Sequence, residues 1–248
     1  KNIEKHITHN TSAIVPVHVY GNACEIEEIQ KLANKYNLKV IYDAAHAFGV
    51  RYNNESILNY GDISTLSFHA TKIFHTIEGG AMIINNDDLV EDVRMSINFG
   101  IKNKESIVSL GTNTKINEFQ AAMGLCVLDD MSKLDAERER VHNLYMSEIK
   151  NIVSFPIQNN KSSRNFSYFP ILLESEKVLK ELQFQLEKSN IYTRRYFFPS
   201  LDTLKYINPS QFCPISRDIS SRVLCLPMYP QLLDEDILSI TKIIKNQL

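Results

Sequence analysis

Between residues 13 and 42 the chain reads apolar run, helical period, apolar run, and this order restricts the fold more than any other feature. Residues 13–19 (A-I-V-P-V-H-V) have the composition of a buried strand whose one anomaly is Pro16, and Tyr20, Gly21 and Asn22 are the turn that ends it. From Glu25 onward, Ile26, Ile29, Leu32, Ala33 and Tyr36 recur at intervals of three and four, which predicts a helix stopped by Asn37. Residues 40–42 are then a second short strand. A strand-helix-strand unit makes the sheet parallel and its crossover right-handed. Asp43 falls at the carboxyl end of a parallel strand, where open α/β sheets bind ligands. A cap on the Ala44-Ala45-His46 turn is the alternative role for this aspartate.

After Gly61 and Asp62 the chain returns as a strand over residues 64–68, passes Lys72, and closes the loop with Gly79 and Gly80 before another strand at 81–85. A short loop between two buried strands gives a lysine partial burial. Burial lowers its pKa and makes the amine a nucleophile toward carbonyls. The plain alternative is a solvated loop lysine. Two features argue against it, Asp43 at the end of the earlier strand and Ser67 five residues before Lys72. Residues 87–97 read as a helix whose N-terminal carboxylates suit its dipole.

Composition limits the function classes. With 248 residues, 44% hydrophobic and 23% charged, the chain can bury a sizeable core, and a net charge of -2 provides no basic field for nucleic acid or an anionic membrane. Cys24, Cys126, Cys213 and Cys225 lack C-x-x-C spacing, which points to reduced thiols in a cytosolic protein. No cysteine or carboxylate cluster beside the histidines completes a metal-ligand pattern. No uncharged apolar run nears the roughly 20 residues that span a bilayer, and the N-terminus lacks a signal-peptide core.

The second half changes character. Residues 102–117 are polar and punctuated by glycine, a loop able to reach out of its own subunit. The long helix predicted over 117–150 carries Phe119, Ala122, Met123, Leu125, Val127, Leu128, Met131 and Leu134 on a face wide enough for a core. Its following D-A-E-R-E-R run reads as a solvated arm. Beyond residue 152 a strand at 168–173, a helix at 176–188, strands at 191–195 and 222–226 and a helix at 234–246 predict a smaller α/β layer. The expected organisation is a cofactor-binding large domain over 1–140 and a small C-terminal domain over 141–248.

Several ordered motifs carry a resemblance. S-F-H-A-T-K followed by E-G-G-A, and preceded by V-P-V-H-V-Y-G-N and I-Y-D-A-A-H-A-F-G, resembles the DegT/DnrJ/EryC1/StrS family of sugar-nucleotide aminotransferases. The resemblance implies the large α/β domain of the type I pyridoxal-phosphate fold, with a mostly parallel central sheet, plus a small C-terminal α/β domain. It implies that Lys72 carries the cofactor as a Schiff base and moves a proton, that Asp43 keeps the pyridine nitrogen protonated, and that Ser67 binds the phosphate. His46 stands where most relatives have glutamine, and either side chain can donate toward the cofactor's phenolic oxygen. In G-T-N-T-K, Asn113 matches the asparagine that relatives supply to the partner subunit's cofactor phosphate. Lys115 replaces their arginine, as a contact to a substrate phosphate. In Y-T-R-R-Y-F-F-P-S-L, Arg195 and Tyr196 match elements near the sugar-nucleotide entrance, with apolar packing as the alternative for residues 196–198.

The implied activity moves an amino group from an amino acid, expected to be glutamate, to a nucleotide-linked keto sugar. The motif forms look most similar to enzymes making dTDP-4-amino-4,6-dideoxyglucose for O-antigen or related surface polysaccharide. A homodimer with shared sites is implied. Relatives also carry an upstream segment with a G-T-x-A-L phosphate turn and a ring-stacking aromatic, so the expectation is a large domain truncated at its N-terminus. That expectation supports a second reading, an inactive scaffold or regulator retaining the fold. Sugar dehydratases of the same fold use histidine in place of the lysine, and Lys72 argues against them.

Overall fold

The computed structural model describes residues 2–207 and 211–248. Its first unit starts with β1 (Ala13–Ile14) and β2 (Lys39–Asp43), paired in parallel with Ile14 opposite Val40, and α1 (Ile26–Tyr36) crosses between them. Helix α1 buries Ile26, Ile29 and Ala33, and Asn37 ends it in left-handed backbone, which asparagine tolerates. Strand β1 is shorter than the pattern over 13–19 predicts. Beyond Ile14 only an isolated bridge from Val17 to Asp43 continues the pairing, since Pro16 has no N–H for a ladder.

β3 (Arg51–Tyr52) and β4 (Glu55–Ser56) form a small antiparallel ribbon before β5 (Ile63–Ser67), which pairs in parallel with β2, Asp43 opposite Thr65. β6 (Gly80–Ile84) then returns antiparallel, Ser67 opposite Gly80. The sheet order is β1-β2-β5-β6, mostly parallel with one antiparallel edge. Val40, Tyr42, Ala44, Ala47 and Ile57 are fully buried beneath α1 residues and make this unit's core. The predicted helix at 87–97 begins as a 3-10 turn, Asp87–Leu89, before α2 (Val90–Ser96). The expected loop at 102–117 holds a hairpin of β7 (Ile101–Asn103) and β8 (Ser106–Ile107).

The long helix α3 (Glu118–Ile149) contributes to both units of the chain, which are Lys1–Met131 with Gln158–Asn165, and Ser132–Ile157 with Phe166–Leu248. Two expectations about α3 need correction. Its early apolar positions are core only in part: Val127 is buried, but Phe119, Leu125 and Leu128 are exposed, and Leu110 before the helix is 96% exposed. Helical period tells which residues share a face, not what covers it. Nor is the D-A-E-R-E-R run simply solvated. Arg138 donates to the Met228 carbonyl at 3.2 Å, and Arg140 donates to the Leu232 carbonyl at 2.8 Å and pairs with Glu137 and Asp234.

In the second unit β9 (Phe169–Leu172) and β10 (Val223–Leu226) pair antiparallel, Ile171 opposite Leu224. α4 (Glu176–Lys188) starts at Ser175, whose hydroxyl accepts from the Val178 N–H at 3.3 Å. α5 (Pro214–Arg222), which the sequence pattern does not announce, and α6 (Asp234–Gln247) complete it. The predicted strand at 191–195 is absent as a strand and leaves one isolated bridge, Arg194 to Cys225. Val141, Tyr145 and Ile149 of α3 pack with Phe169, Leu179, Leu182, Leu186 and Ile237 as the core.

Candidate active site

Two turns of the first unit carry the site, and three aromatic rings lock them together. At the end of β2 the Ala44 N–H donates to the Thr65 carbonyl at 2.9 Å, the Ala45 N–H to Asp43 Oδ1 at 3.0 Å, and the Ala47 N–H to the Ala44 carbonyl at 2.8 Å. Asp43 thus does cap its own turn, with one carboxylate oxygen. Among the described residues Oδ2 has no hydrogen-bond partner. The second turn is the loop from Phe68 to Gly79, closed by Phe68 N–H to the Gly79 carbonyl at 2.8 Å and Thr76 N–H to the Phe68 carbonyl at 3.0 Å. A Cβ at Gly79 would stand 2.3 Å from Thr76 Oγ1, so this closure needs glycine. Phe48 of the first turn stacks on Phe74 of the second at 4.4 Å, and Phe68 meets Phe74 edge-on at 4.8 Å.

Lys72 lies on the second turn, half-buried. Its amine has no hydrogen-bond or ion-pair partner among the described residues. Burial pulls its pKa below the ordinary lysine value, opposed by the Asp43 charge. His46, on the first turn, is held at about 4 by burial and by the Lys72 charge, with Asp43 opposing, so its ring is neutral at pH 7. The Tyr20 N–H donates to His46 Nδ1 at 3.2 Å, which leaves the proton on Nε2 as a donor. Ser67 heads the lysine loop, its hydroxyl accepting only a long 3.5 Å bond from the His69 N–H.

The remaining sequence candidates lie elsewhere. Asn113 and Lys115 form an exposed cluster of their own in which Lys115 Nζ donates to Asn113 Oδ1 at 2.7 Å and Asn98 Oδ1 at 2.9 Å. Arg195 and Tyr196 belong to the second unit. Arg195 donates to Glu176 at 3.1 Å and to the Ser221 carbonyl at 2.9 Å, with its guanidinium 3.6 Å from the Phe198 ring centre. Tyr196 OH accepts from Arg194 at 3.1 Å. Among the described residues no three His, Cys, Asp or Glu side chains converge as a metal site requires.

Sequence reasoning missed His18. It is fully buried, stacks on Tyr42 at 4.5 Å, accepts the Cys24 N–H at Nδ1, and donates its backbone N–H to the Asp43 carbonyl at 2.9 Å. A histidine inside the apolar run V-P-V-H-V was the available signal.

A half-buried lysine amine with no bonding partner, beside a carboxylate with one oxygen free, fits a cofactor bearing an aldehyde and a basic ring nitrogen. On a mostly parallel sheet this defines an α/β protein with a lysine-centred site. A family model for the DegT/DnrJ/EryC1/StrS aminotransferases matches residues 1–245. The chain is similar to a dTDP-4-amino-4,6-dideoxy-D-glucose transaminase of Shigella dysenteriae, 45% identical over 96% of this chain and 66% of that protein. It is similar to one of Escherichia coli, 37% identical over 100% of this chain and 70% of that protein. Among solved structures, that of DesI in the presence of its TDP-sugar product superposes with a TM-score of 0.90 at 28% identity, covering 98% of this chain and 64% of that one. Helicobacter pylori PseC, an aminotransferase involved in the biosynthesis of pseudoaminic acid, gives 0.89 at 28%, covering 99% and 69%. The chain therefore spans 64% to 70% of the length of these proteins. It belongs to the DegT/DnrJ/EryC1/StrS aminotransferase family.

Proposed function

We propose that this chain carries the lysine half of a pyridoxal-phosphate site in an enzyme that transfers an amino group from glutamate to a nucleotide-linked keto-deoxysugar. The sugar nucleotide we propose is dTDP-4-keto-6-deoxyglucose, and the setting is cytoplasmic synthesis of surface polysaccharide. The observation that carries the reading is Lys72, whose partnerless amine is depressed in pKa by burial and set against Asp43. When bound, the cofactor supplies an electron sink for the carbon that loses its proton. Lys72 would hold its aldehyde carbon and, once released, act as the base, a role suited to a lysine with a lowered pKa. Asp43 would hold the protonated ring nitrogen through Oδ2, while Oδ1 keeps its turn. The neutral His46 would donate from Nε2 to the ring oxygen, and the Ser67 hydroxyl would donate to the phosphate.

Asn113 supports a homodimer with shared sites. Lys115 takes its Oδ1, which puts an amide with two N–H donors beside a cation, a donor set suited to phosphate. The exposed apolar side of α3 is of the kind that a second subunit covers. Arg195 and Tyr196 remain proposed contacts to the sugar nucleotide.

The test is borohydride treatment of the full-length protein loaded with pyridoxal phosphate, followed by peptide mapping, and assay with glutamate and dTDP-4-keto-6-deoxyglucose. Reductive labelling at Lys72 and formation of the 4-amino sugar are expected. A wild-type protein that takes no label at Lys72 overturns the reading.

A further inference from the structure

The segment 158–165 leaves the first unit's sequence range yet is stitched back onto it. The Asn159 N–H donates to Asn22 Oδ1 at 2.9 Å, Lys161 pairs with Glu27 at 2.6 Å, and the Ser163 N–H donates to the Arg51 carbonyl at 2.8 Å. At its end stands Asn165, 7% exposed. Its Nδ2 donates to the His46 carbonyl at 2.8 Å and to the Phe48 carbonyl at 3.0 Å. Both acceptors lie on the Asp43 turn.

We propose that Asn165 is a positioning residue for the lysine site: by clamping the His46 and Phe48 carbonyls, its carboxamide sets where the His46 imidazole and the Phe48 ring stand against the Lys72 turn. The chemistry favours asparagine. One nitrogen must serve two carbonyls at once, and a primary amide has two N–H donors, where serine has one and ionised aspartate none. The chain also makes room for it. A Cβ at Gly21 would lie 2.5 Å from Asn165 Oδ1 and 2.9 Å from the His46 carbonyl, and Gly21 has φ +77, so a glycine stands where a side chain would push the clamp aside. From the clamped carbonyls the path to Lys72 is short. Phe48 stacks on Phe74, two residues past Lys72, and the His46 ring is close enough for the Lys72 charge to depress it.

The placement of His46 stands apart from the cofactor, whereas the effect on catalysis rests on the function proposed above. Histidine carbon-proton NMR in the cofactor-free, full-length protein, with His46 assigned by His46→Gln, separates the two. In the wild type His46 stays neutral down to about pH 5, and in Asn165→Ala its midpoint rises toward the ordinary value of about 6.5 as the turn relaxes toward water, with the Lys72 charge still opposing. Asn165→Ser, with one donor, should fall between, and it serves where the alanine variant does not fold. In the loaded enzyme Asn165→Ala should keep the cofactor, shift the pH midpoint of its visible band, and lower kcat by about tenfold to a hundredfold with KM for the sugar nucleotide within about twofold. A folded Asn165→Ala or Asn165→Ser in which His46 titrates as in the wild type overturns the inference, whatever happens to stability. A wild type that binds no cofactor defeats the proposed function instead, and the His46 comparison still decides the role of Asn165.

Discussion

His18 should make β1 and β2 acid-sensitive in a way that one substitution removes. Its ring is fully buried against Tyr42, and burial holds its pKa at about 4, opposed by the Asp43 charge, against 6.5 for an ordinary histidine. The folded chain therefore takes up this proton less readily than the unfolded chain. The contribution is fully present above about pH 6.5 and is lost as the pH falls toward the folded value. Each pH unit in that window costs about 1.4 kcal/mol per proton, and the 2.5 units between 6.5 and 4 come to about 3 kcal/mol. His46 titrates with the same sign, so the wild type loses more than this and His18 is one share of it. In His18→Asn the amide oxygen can still accept the Cys24 N–H, but nothing titrates. Losing the ring against Tyr42 should cost about 1 to 2 kcal/mol at pH 7. The assay is amide hydrogen exchange of Val40, Ile41 and Tyr42 between about pH 7 and 4.5, which reads the opening of this sheet by itself. The wild-type opening free energy should fall more steeply below pH 6.5 than that of His18→Asn. Equal slopes, or a native His18 that titrates near 6.5, would refute the assignment.

Three further outcomes follow from the same geometry. Asp43→Asn keeps an oxygen for the Ala45 N–H, so melting should move little, while loss of the charge lowers the Lys72 pKa further and slows turnover by about 10²- to 10³-fold; unchanged turnover would leave Asp43 as a cap only. Leu182→Ala opens a cavity among Leu179, Leu186 and Phe169 and should cost about 2 to 5 kcal/mol by urea unfolding, and a loss under about 1 kcal/mol would contradict the packing of the second unit. Mixing inactive Lys72→Ala with inactive Asn113→Ala subunits should restore about a quarter of wild-type activity, since half the dimers are mixed and each holds one intact site of two; no recovery despite proven subunit exchange would place Asn113 outside a shared site.

The parts of the candidate site that are legible in the sequence are those whose signal is local. Asp43 follows an apolar strand by one residue, and Lys72 sits in a loop bounded by Ser67 and the Gly79-Gly80 pair. That the two turns meet was also implicit, because β2 and β5 are adjacent parallel strands and both turns leave their carboxyl ends. Where the reading failed, the deciding partner was distant. Residues 191–195 have strand-like composition but only Arg194 finds a backbone partner, at Cys225. The apolar positions of α3 were rightly placed on a helix, and nothing in their period says whether another element lies over them. Arg138 and Arg140 look like solvated charge until the carbonyls of Met228 and Leu232 arrive from some 90 residues away.

Asn165 illustrates the limit most sharply, because its bonds to the Asp43 turn reach back 119 and 117 residues to backbone atoms. A side chain that bonds to a carbonyl imposes no residue type on its partner, so neither periodicity nor a paired motif can reveal the contact. The groups proposed for the chemistry differ in kind. The proposed reaction needs a lysine and a carboxylate, and those identities are visible as a pattern in the sequence. Asn165 acts on backbone, and a buried asparagine between two carbonyls becomes visible only when the turn it grips has been folded against it.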